Sequence, residues 1–194
     1  MSAQSPNFAE YVAHPRFGKG PRLTGLNPTQ ALDGSVWLHF HTRDPDRVPN
    51  TAIVANTARQ NRPTIPVTHY FDVRRRCRAC GRPFLFFAEE QQYWYEELQF
   101  PLEADCVRCV ECRAGVRELR AMKQQYDLLL QAPRRSAEDT LELVGAAYAL
   151  VEASIFSPKV VPRMRALLRA LQAGENPQVA VRAQELLAFS PAPQ

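Results

Sequence analysis

The five cysteines of this chain fall in two clusters and nowhere else. Cys77 and Cys80 form a C-x2-C pair, and Cys106, Cys109 and Cys112 follow downstream with the same spacing between neighbours. A C-x2-C pair lets two sulfurs reach one ion at about 2.3 Å from each. Two such pairs complete a tetrahedron of four thiolates, the ligand set typical of a structural zinc site. The spacing therefore predicts one Zn²⁺ held by four cysteines.

Three cysteines compete for the second pair, because four-coordinate zinc needs only two of Cys106, Cys109 and Cys112. We prefer Cys109 and Cys112. In that layout one ligand lies just before a predicted helix and the other in its first turn, where the positive end of the helix dipole favours a thiolate. The predicted ligands are Cys77, Cys80, Cys109 and Cys112, and Cys106 stays open as the alternative.

Other chemistry for these cysteines is less favoured. Four thiolates close the coordination shell, whereas a catalytic zinc site keeps an open position and often uses His or carboxylate ligands. The N-terminus lacks the basic start and apolar run of a secretory signal, and no apolar stretch reaches the length of a membrane span. We therefore expect a cytoplasmic protein without a membrane partner, where reduced thiols favour metal ligation over disulfides.

The elements that position the cysteines follow from the residue pattern between them and beyond. We expect a strand over Tyr70–Arg74, a cysteine turn and a strand over Pro83–Phe87. A short helix over Ala88–Leu98 should follow. A longer helix should begin at about Cys109 and end before Pro133, since its apolar residues recur at three-to-four spacing.

The two ends of the chain differ in character. The first 71 residues hold 8 of the 16 prolines, so this arm is mostly loop, with one strand over Ser35–His41 and a weaker candidate over Thr51–Ala55. The C-terminal end shows three helix starts, at Ser136, at Ser157-Pro158 and at Asn176-Pro177. At the first of these, Asp139 can complete a capping box.

These elements predict an α+β fold in three parts. Residues 1–69 form a loop-rich arm with one or two short strands, residues 70–131 a small zinc-binding domain, and residues 136–189 a three-helix, all-α tail.

The cysteine segment carries a longer pattern: a CxxCG turn from Cys77 to Gly81, an FxF strand over Phe84–Phe86 and a closing RCxxCR over Arg108–Arg113. This pattern resembles the zinc-ribbon, treble-clef-type domain of uncharacterised bacterial proteins, and the resemblance implies a treble-clef-like fold for residues 70–131. The likeness covers about residues 70–115 and departs from the family pattern at Gln99, where Gly is usual, and in a longer spacer over Pro101–Asp105. It implies a zinc-binding module without a settled activity, and it also supports Cys109 and Cys112. The matching residues are Cys77, Cys80, Gly81, Phe84, Phe86, Glu90, Gln91, Trp94, Tyr95, Phe100, Arg108, Cys109, Cys112 and Arg113.

Arginines and aromatic residues near the cysteines are also compatible with a protein that binds nucleic acid. Arg78 and Arg82 belong to an arginine cluster at the first cysteine turn that could grip phosphates, but residues 72–123 hold 10 basic against 9 acidic residues. Binding one zinc through four thiolates would lower the formal charge of the chain from +4 to +2. The aromatic residues, which could stack on bases, are better explained as the core of a small module. Nucleic acid is therefore a secondary expectation.

No sequence motif points to catalysis, since GxSxG, P-loop, GxGxxG and HExxH patterns are absent. His39 and His41 share one face of the predicted strand, but no carboxylate or cysteine at a suitable spacing completes a second metal site. We expect a non-enzymatic zinc-binding protein whose module supports an interaction or adaptor surface for a protein partner. The alternatives are a nucleic-acid-binding accessory protein and a thiol redox switch with releasable zinc.

Overall fold

The computed structural model describes residues 7–31, 33–174, 176–189 and 191. The chain divides into two compact units, Met1–Arg113 and Ala114–Gln194, which are described separately below. Short two-stranded sheets and helices give the mixed α+β class that the sequence predicts. The limits of the arm, zinc-binding domain and tail stay predictions.

Two antiparallel strand pairs, the helix Ala88–Gln92 (α1) and the first residues of the helix Val110–Gln131 (α2) organise the first unit. The β1 strand (Ile53–Val54) pairs with β2 (His69–Tyr70), and β3 (Val73–Arg76) pairs with β4 (Pro83–Phe86). The β3–β4 register places Val73 opposite Phe86 and Arg76 opposite Pro83. The α1 helix continues into a π-helical turn over Tyr93–Glu97. The element bounds are β1 Ile53–Val54, β2 His69–Tyr70, β3 Val73–Arg76, β4 Pro83–Phe86, α1 Ala88–Gln92 and α2 Val110–Gln131.

Both faces of β4 are buried, which explains its uninterrupted apolar sequence. Phe84 and Phe86 lie in one core cluster with three buried cysteines. Leu85 points to the opposite face, where it joins Val48 and Phe87 in a second cluster. A strand that is covered on both sides needs apolar residues at every position rather than at alternate ones.

The loop-rich arm is fastened to the hairpin and to α1 by hydrogen bonds from its backbone. Val12 N–H donates to the carbonyl of Pro83 at 2.9 Å. The buried carboxylate of Asp72 accepts hydrogen bonds from Arg22 N at 2.7 Å and from Ala88 N at 2.8 Å. The Ala88 amide is the first of α1, so Asp72 caps that helix from a distant position in the chain. Burial raises the pKa of Asp72 to about 6.

The predicted strand over Ser35–His41 is wrong. Only Leu38 forms a bridge there, with His69, and the expected alternation fails because Leu38 and His39 are both buried while Phe40 is exposed. His39 is held inward by a 2.7 Å hydrogen bond from its Nε2 to the carbonyl of Leu102. This long-range hydrogen bond buries His39, although the alternation of apolar and polar residues predicts that its side chain faces away from the core.

Two other strand predictions shift in extent. The segment Thr51–Ala55 contributes only the two residues of β1, and the strand expected over Tyr70–Arg74 is divided between β2 and β3. The division falls at Asp72, whose amide donates to the Thr51 hydroxyl at 3.0 Å and whose carbonyl accepts from Val48 N at 2.8 Å. These bonds to the arm replace the sheet pairing at that position.

The second unit has a helical core of its own. The predicted capping box at Ser136 is confirmed, since Ser136 and Asp139 exchange two hydrogen bonds of 3.0 Å. Leu143, Met164 and Leu168 are fully buried in one cluster that also includes Tyr126 of α2. Among the residues that the structure describes, no helix combines the length and the apolar composition that a membrane span requires. The remaining helices are α3 Ala137–Glu152, α4 Val161–Gln172 and α5 Pro177–Ala188.

Candidate metal centre

The first cysteine pair lies in the tight turn at the tip of the β3–β4 hairpin. Cys77 N–H donates to the carbonyl of Arg82 at 2.9 Å, and Gly81 N–H donates to the carbonyl of Cys77 at 2.9 Å. Gly81 has a φ of +71°, a backbone conformation that glycine adopts without strain. The turn therefore depends on a glycine directly after Cys80.

The second pair lies at the start of α2. Cys109 immediately precedes the helix, and its carbonyl accepts a 3.0 Å hydrogen bond from Arg113 N. Cys112 lies in the first turn of α2. This is the placement that the sequence predicts for these two cysteines, beside the amides at the positive end of the helix dipole.

The four sulfurs converge on one point. The Sγ atoms of Cys77, Cys80, Cys109 and Cys112 all lie within 4.8 Å of one another, and Cys80 Sγ is 3.8 Å from Cys109 Sγ. Four sulfurs placed tetrahedrally at 2.3 Å from zinc would be separated by about 3.8 Å. All five cysteines are free thiols. The donor set therefore fits a closed four-sulfur metal site.

The thiol groups of the cluster have opposing tendencies to ionise. Burial opposes ionisation of Cys77, but hydrogen bonds from the amides of Cys109, Cys80 and Ala79 outweigh it and lower the pKa of Cys77 to about 6. Burial and the neighbouring sulfurs raise the pKa of Cys112 to about 12. Four thiolates this close repel one another, and a bound divalent cation would remove that repulsion.

Cys106 lies outside this group. Its side chain is buried, with 1% of the residue exposed, and its thiol donates to the carbonyl of Arg108 at 3.4 Å. Burial raises the pKa of Cys106 to about 12, so the protonated thiol is the stable form. The structure thus brings together the four preferred cysteines and places the alternative elsewhere, while the ligand assignment itself stays a prediction.

A buried ion pair connects the second cysteine pair to α1. Arg113, the residue after Cys112, places its guanidinium 2.6 Å from the carboxylate of Glu90. His14 of the arm lies 3.6 Å from the same carboxylate oxygen, and Arg113 also lies over the ring of Trp94 at 5.1 Å. In the sequence, Glu90 belongs only to the family-like pattern, and His14 belongs to no motif. No local spacing signals their meeting, because the partners are far apart in the chain.

One side of the centre is open to solvent. Cys80 is exposed, and a hydrogen bond from the Arg82 side chain lowers the pKa of its thiol. Arg82 also forms an ion pair with Glu111. Arg75 forms another with the carboxylate of Asp105, 3.1 Å away. Arg78 and Arg108 are exposed and have no ion pair within the described part of the chain. Local acids thus neutralise some of these arginines, and a nucleic-acid contact stays a prediction.

His39 and His41 do not form a second metal site with other ligands among the described residues, where the four cysteines are the only such group. His39 is buried, and its Nδ1 accepts a 3.3 Å hydrogen bond from the amide of His41. Burial lowers the pKa of His39 to about 4, so the ring is neutral and serves packing.

The aromatic residues of the module mostly form its core. Tyr95 and Phe87 are almost fully buried, whereas Tyr93, the first residue of the π-helical turn, and Phe100, which follows the turn, are exposed. Gln99, the departure from the family's glycine, has a φ of +56°. Its side chain amide donates to the carbonyls of Arg59 and, at 2.8 Å, of Glu96. These bonds offset the strain that a glycine would avoid.

Comparison with known proteins agrees with this geometry. Residues 71–120 match the family model described as "Probable treble clef domain", close to the range over which the sequence resembles that family. No curated protein and no solved structure matches the chain significantly. The cysteine turn of the hairpin and the cysteines at the start of α2 therefore belong to a treble-clef domain, whose four sulfurs are arranged to bind a metal ion.

Proposed function

We propose that this protein is a zinc-stabilised interaction module rather than an enzyme, with Cys77, Cys80, Cys109 and Cys112 as the ligands of one structural Zn²⁺. The observation that carries the proposal is the convergence of these four sulfurs within 4.8 Å. A shell of four thiolates offers no free position for a substrate or a reactive water. The metal would act as a cross-link between the hairpin tip and α2.

The surroundings of the site support a binding role. Zinc binding to small modules contributes roughly 10 kcal/mol or more of apparent folding free energy, which a short hairpin and one helix turn lack on their own. The arm packs on the same hairpin through Val12 and Asp72, so metal binding would stabilise the surface that the arm presents. We propose a protein partner for that surface and a cytoplasmic setting, where thiols stay reduced.

Metal content and the effect of metal removal test the structural part of this proposal. Elemental analysis should give close to one equivalent of zinc per chain. Both tryptophans, Trp37 and Trp94, lie in the first unit, so their fluorescence reports its unfolding. A chelator should change that fluorescence, while the helical circular dichroism from α3–α5 should largely persist, because these helices have their own core. A metal-free first unit that stays folded would contradict the proposal.

The interaction part needs a matched pair of variants. Affinity capture with the intact protein should recover a saturable partner that is lost on chelation and with Cys77→Ser. Cys106→Ser, which changes a cysteine outside the cluster, should retain that partner. Equal recovery with Cys77→Ser and without zinc would show that binding does not depend on the metal module.

The exposure of Cys80 favours a second candidate function, a thiol redox switch. Peroxide would oxidise the Cys80 thiolate to sulfenic acid with release of hydroxide, and the loss of one ligand would weaken zinc binding. Titration with peroxide, with a colorimetric zinc indicator as readout, separates the two functions. Zinc release at low peroxide favours the switch, and release only under harsh oxidation favours the structural role.

A further inference from the structure

A cavity of about 730 Å³ opens in the first unit, and no cysteine lines it. Its walls come from the arm segments around Trp37–Thr42 and Pro63–Val67 and from Leu102–Glu103 in the spacer that lengthens this chain relative to the family pattern. Sites for small molecules typically enclose roughly 300–1,000 Å³ and are mainly apolar with a few polar groups. The volume and location define a candidate ligand site separate from the metal centre.

The interior of the cavity is apolar and aromatic. Leu38, Val67 and Leu102 are buried residues that line it. Phe40 also lines the cavity and is 64% exposed, a large exposure for a phenyl ring. The ring stacks on His39, with centroids 5.2 Å apart and planes 7° apart, and this contact orients it at the cavity. The aromatic surface is therefore in place before any ligand arrives.

Of the charged side chains that line the cavity, one carboxylate has no positively charged partner among the described residues. The guanidinium of Arg47 is bound to the carboxylate of Asp44 and, at 2.8 Å, to the carbonyl of Thr42. His39 has both ring nitrogens occupied by hydrogen bonds within the protein. Glu103 is exposed and has no ion-pair partner among the residues that the structure describes. The unpaired charge at the cavity is therefore negative.

We propose that this cavity binds a small organic cation, an amine carried on an aromatic or aliphatic body. The body would replace water against Leu38, Leu102 and the open face of Phe40. The ammonium group would lie close to Glu103, and an aromatic face is itself attractive to a cation. An anionic ligand of the same shape would meet Glu103 without a free cation to offset it, because Arg47 is already neutralised by Asp44.

A pair of probes with opposite charge tests the proposal on the full-length, zinc-loaded protein. Phenethylamine and phenylacetate share a phenyl ring and differ in the sign of their charge. The indole N–H signal of Trp37, which lines the cavity, is followed by ¹H–¹⁵N NMR and assigned with Trp37→Phe. Phenethylamine should shift this signal saturably and leave the Trp94 signal in place, and phenylacetate should have little effect at the same concentration. No saturable shift, or equal binding of both probes, would overturn the proposal.

Two variants then locate the contact. Glu103→Gln removes an exposed charge and should weaken phenethylamine binding by about two- to fivefold, the size of a solvent-exposed ion pair. Phe40→Ala should weaken it at least as much through loss of apolar and cation–π contact. Glu118→Gln, at an exposed position on α2, is the matched control and should leave binding unchanged. Unchanged affinity in a folded Glu103→Gln protein would refute the assigned role of that carboxylate.

Discussion

The guanidinium of Arg113 lies 2.6 Å from the carboxylate of Glu90, so the residue after the last cysteine of the metal centre is tied to α1. Both side chains are largely buried, with 17% of the Arg113 side chain and 9% of the Glu90 side chain exposed. Glu90 Oε2 and Arg113 Nε have no hydrogen-bond partner in the described chain. Arg113 is therefore the closer of the two basic side chains at the Glu90 carboxylate, with His14 at 3.6 Å from the same oxygen.

We predict that Arg113→Ala will destabilise the first unit by about 3 kcal/mol, because it leaves the Glu90 carboxylate buried with only His14 nearby. Urea unfolding followed by tryptophan fluorescence measures the loss. The control is Arg59→Ala, which breaks the Arg59–Glu97 pair, whose side chains are about half exposed. That variant should cost about 1 kcal/mol or less. Equal costs for the two variants would contradict the structural importance of the buried pair.

The ligand assignment predicts opposite outcomes for two neighbouring cysteines. Cys106→Ser should keep the metal and near-normal stability, because the serine hydroxyl can still donate to the carbonyl of Arg108. Cys112→Ser should weaken metal binding, because it removes one of the four converging sulfurs. Cobalt substitution followed by absorption spectroscopy reads the difference, since thiolate-to-cobalt charge transfer scales with the number of bound sulfurs.

The same spectra can also show that the assignment of Cys112 as a ligand is wrong. A four-sulfur spectrum in Cys112→Ser, together with a three-sulfur spectrum in Cys106→Ser, would make Cys106 the ligand. Cys109→Ser serves as the positive control, because Cys109 is a ligand under either assignment.

The left-handed conformation of Gln99 predicts a specific order of stabilities. Gln99→Gly loses the side-chain bonds to Arg59 and Glu96 but relieves backbone strain, so we expect a change of about 1 kcal/mol or less. Gln99→Ala loses the same bonds and keeps the strain, since its φ is +56°. The alanine variant should be less stable than the glycine variant by about 1 kcal/mol. An alanine variant as stable as the glycine variant in urea unfolding would rule out this conformation.

His39 predicts a dependence of stability on pH. Burial lowers its pKa to about 4 from an ordinary value of 6.5, so between these values the unfolded chain binds more protons than the folded one. The stability that His39 contributes is therefore complete above pH 6.5 and is lost as the pH falls towards 4. With zinc in excess, lowering the pH from 7.5 to 5 should cost the wild type about 2 kcal/mol more than His39→Gln. Parallel losses in the two proteins would assign the acid sensitivity to other groups.

The accuracy of sequence-based prediction here depends on the range of the interactions involved. The capping box at Ser136 and the cysteine turn at Cys77 are local, so a few neighbouring residues suffice to predict them. The strand expected over Ser35–His41 fails because the position of His39 is determined by Leu102, far along the chain. The resemblance to a treble-clef family indicates that the two cysteine pairs meet although they are far apart in the sequence. Local periodicity contains no information about such a long-range contact.

The features of the candidate site also differ in whether the sequence predicts them, according to whether they depend on local or on long-range contacts. The convergence of the four cysteines follows from two short spacings and one helix start, all visible in the sequence. The Glu90–Arg113 pair and the cavity beside Glu103 arise where separate segments meet, and neither has a local signature.

The bridge between Val12 and Phe84 has a consequence for the order of events on the ribosome. The N-terminal residues leave the ribosome first, yet the hairpin on which they pack is synthesised about 70 residues later. The last cysteine of the cluster, Cys112, emerges later still. Apolar residues of the nascent arm such as Val12 therefore stay without this packing partner until the hairpin has been made. We expect this interval to be the stage at which the chain is most dependent on chaperones and on a supply of the metal ion that the four cysteines are arranged to bind.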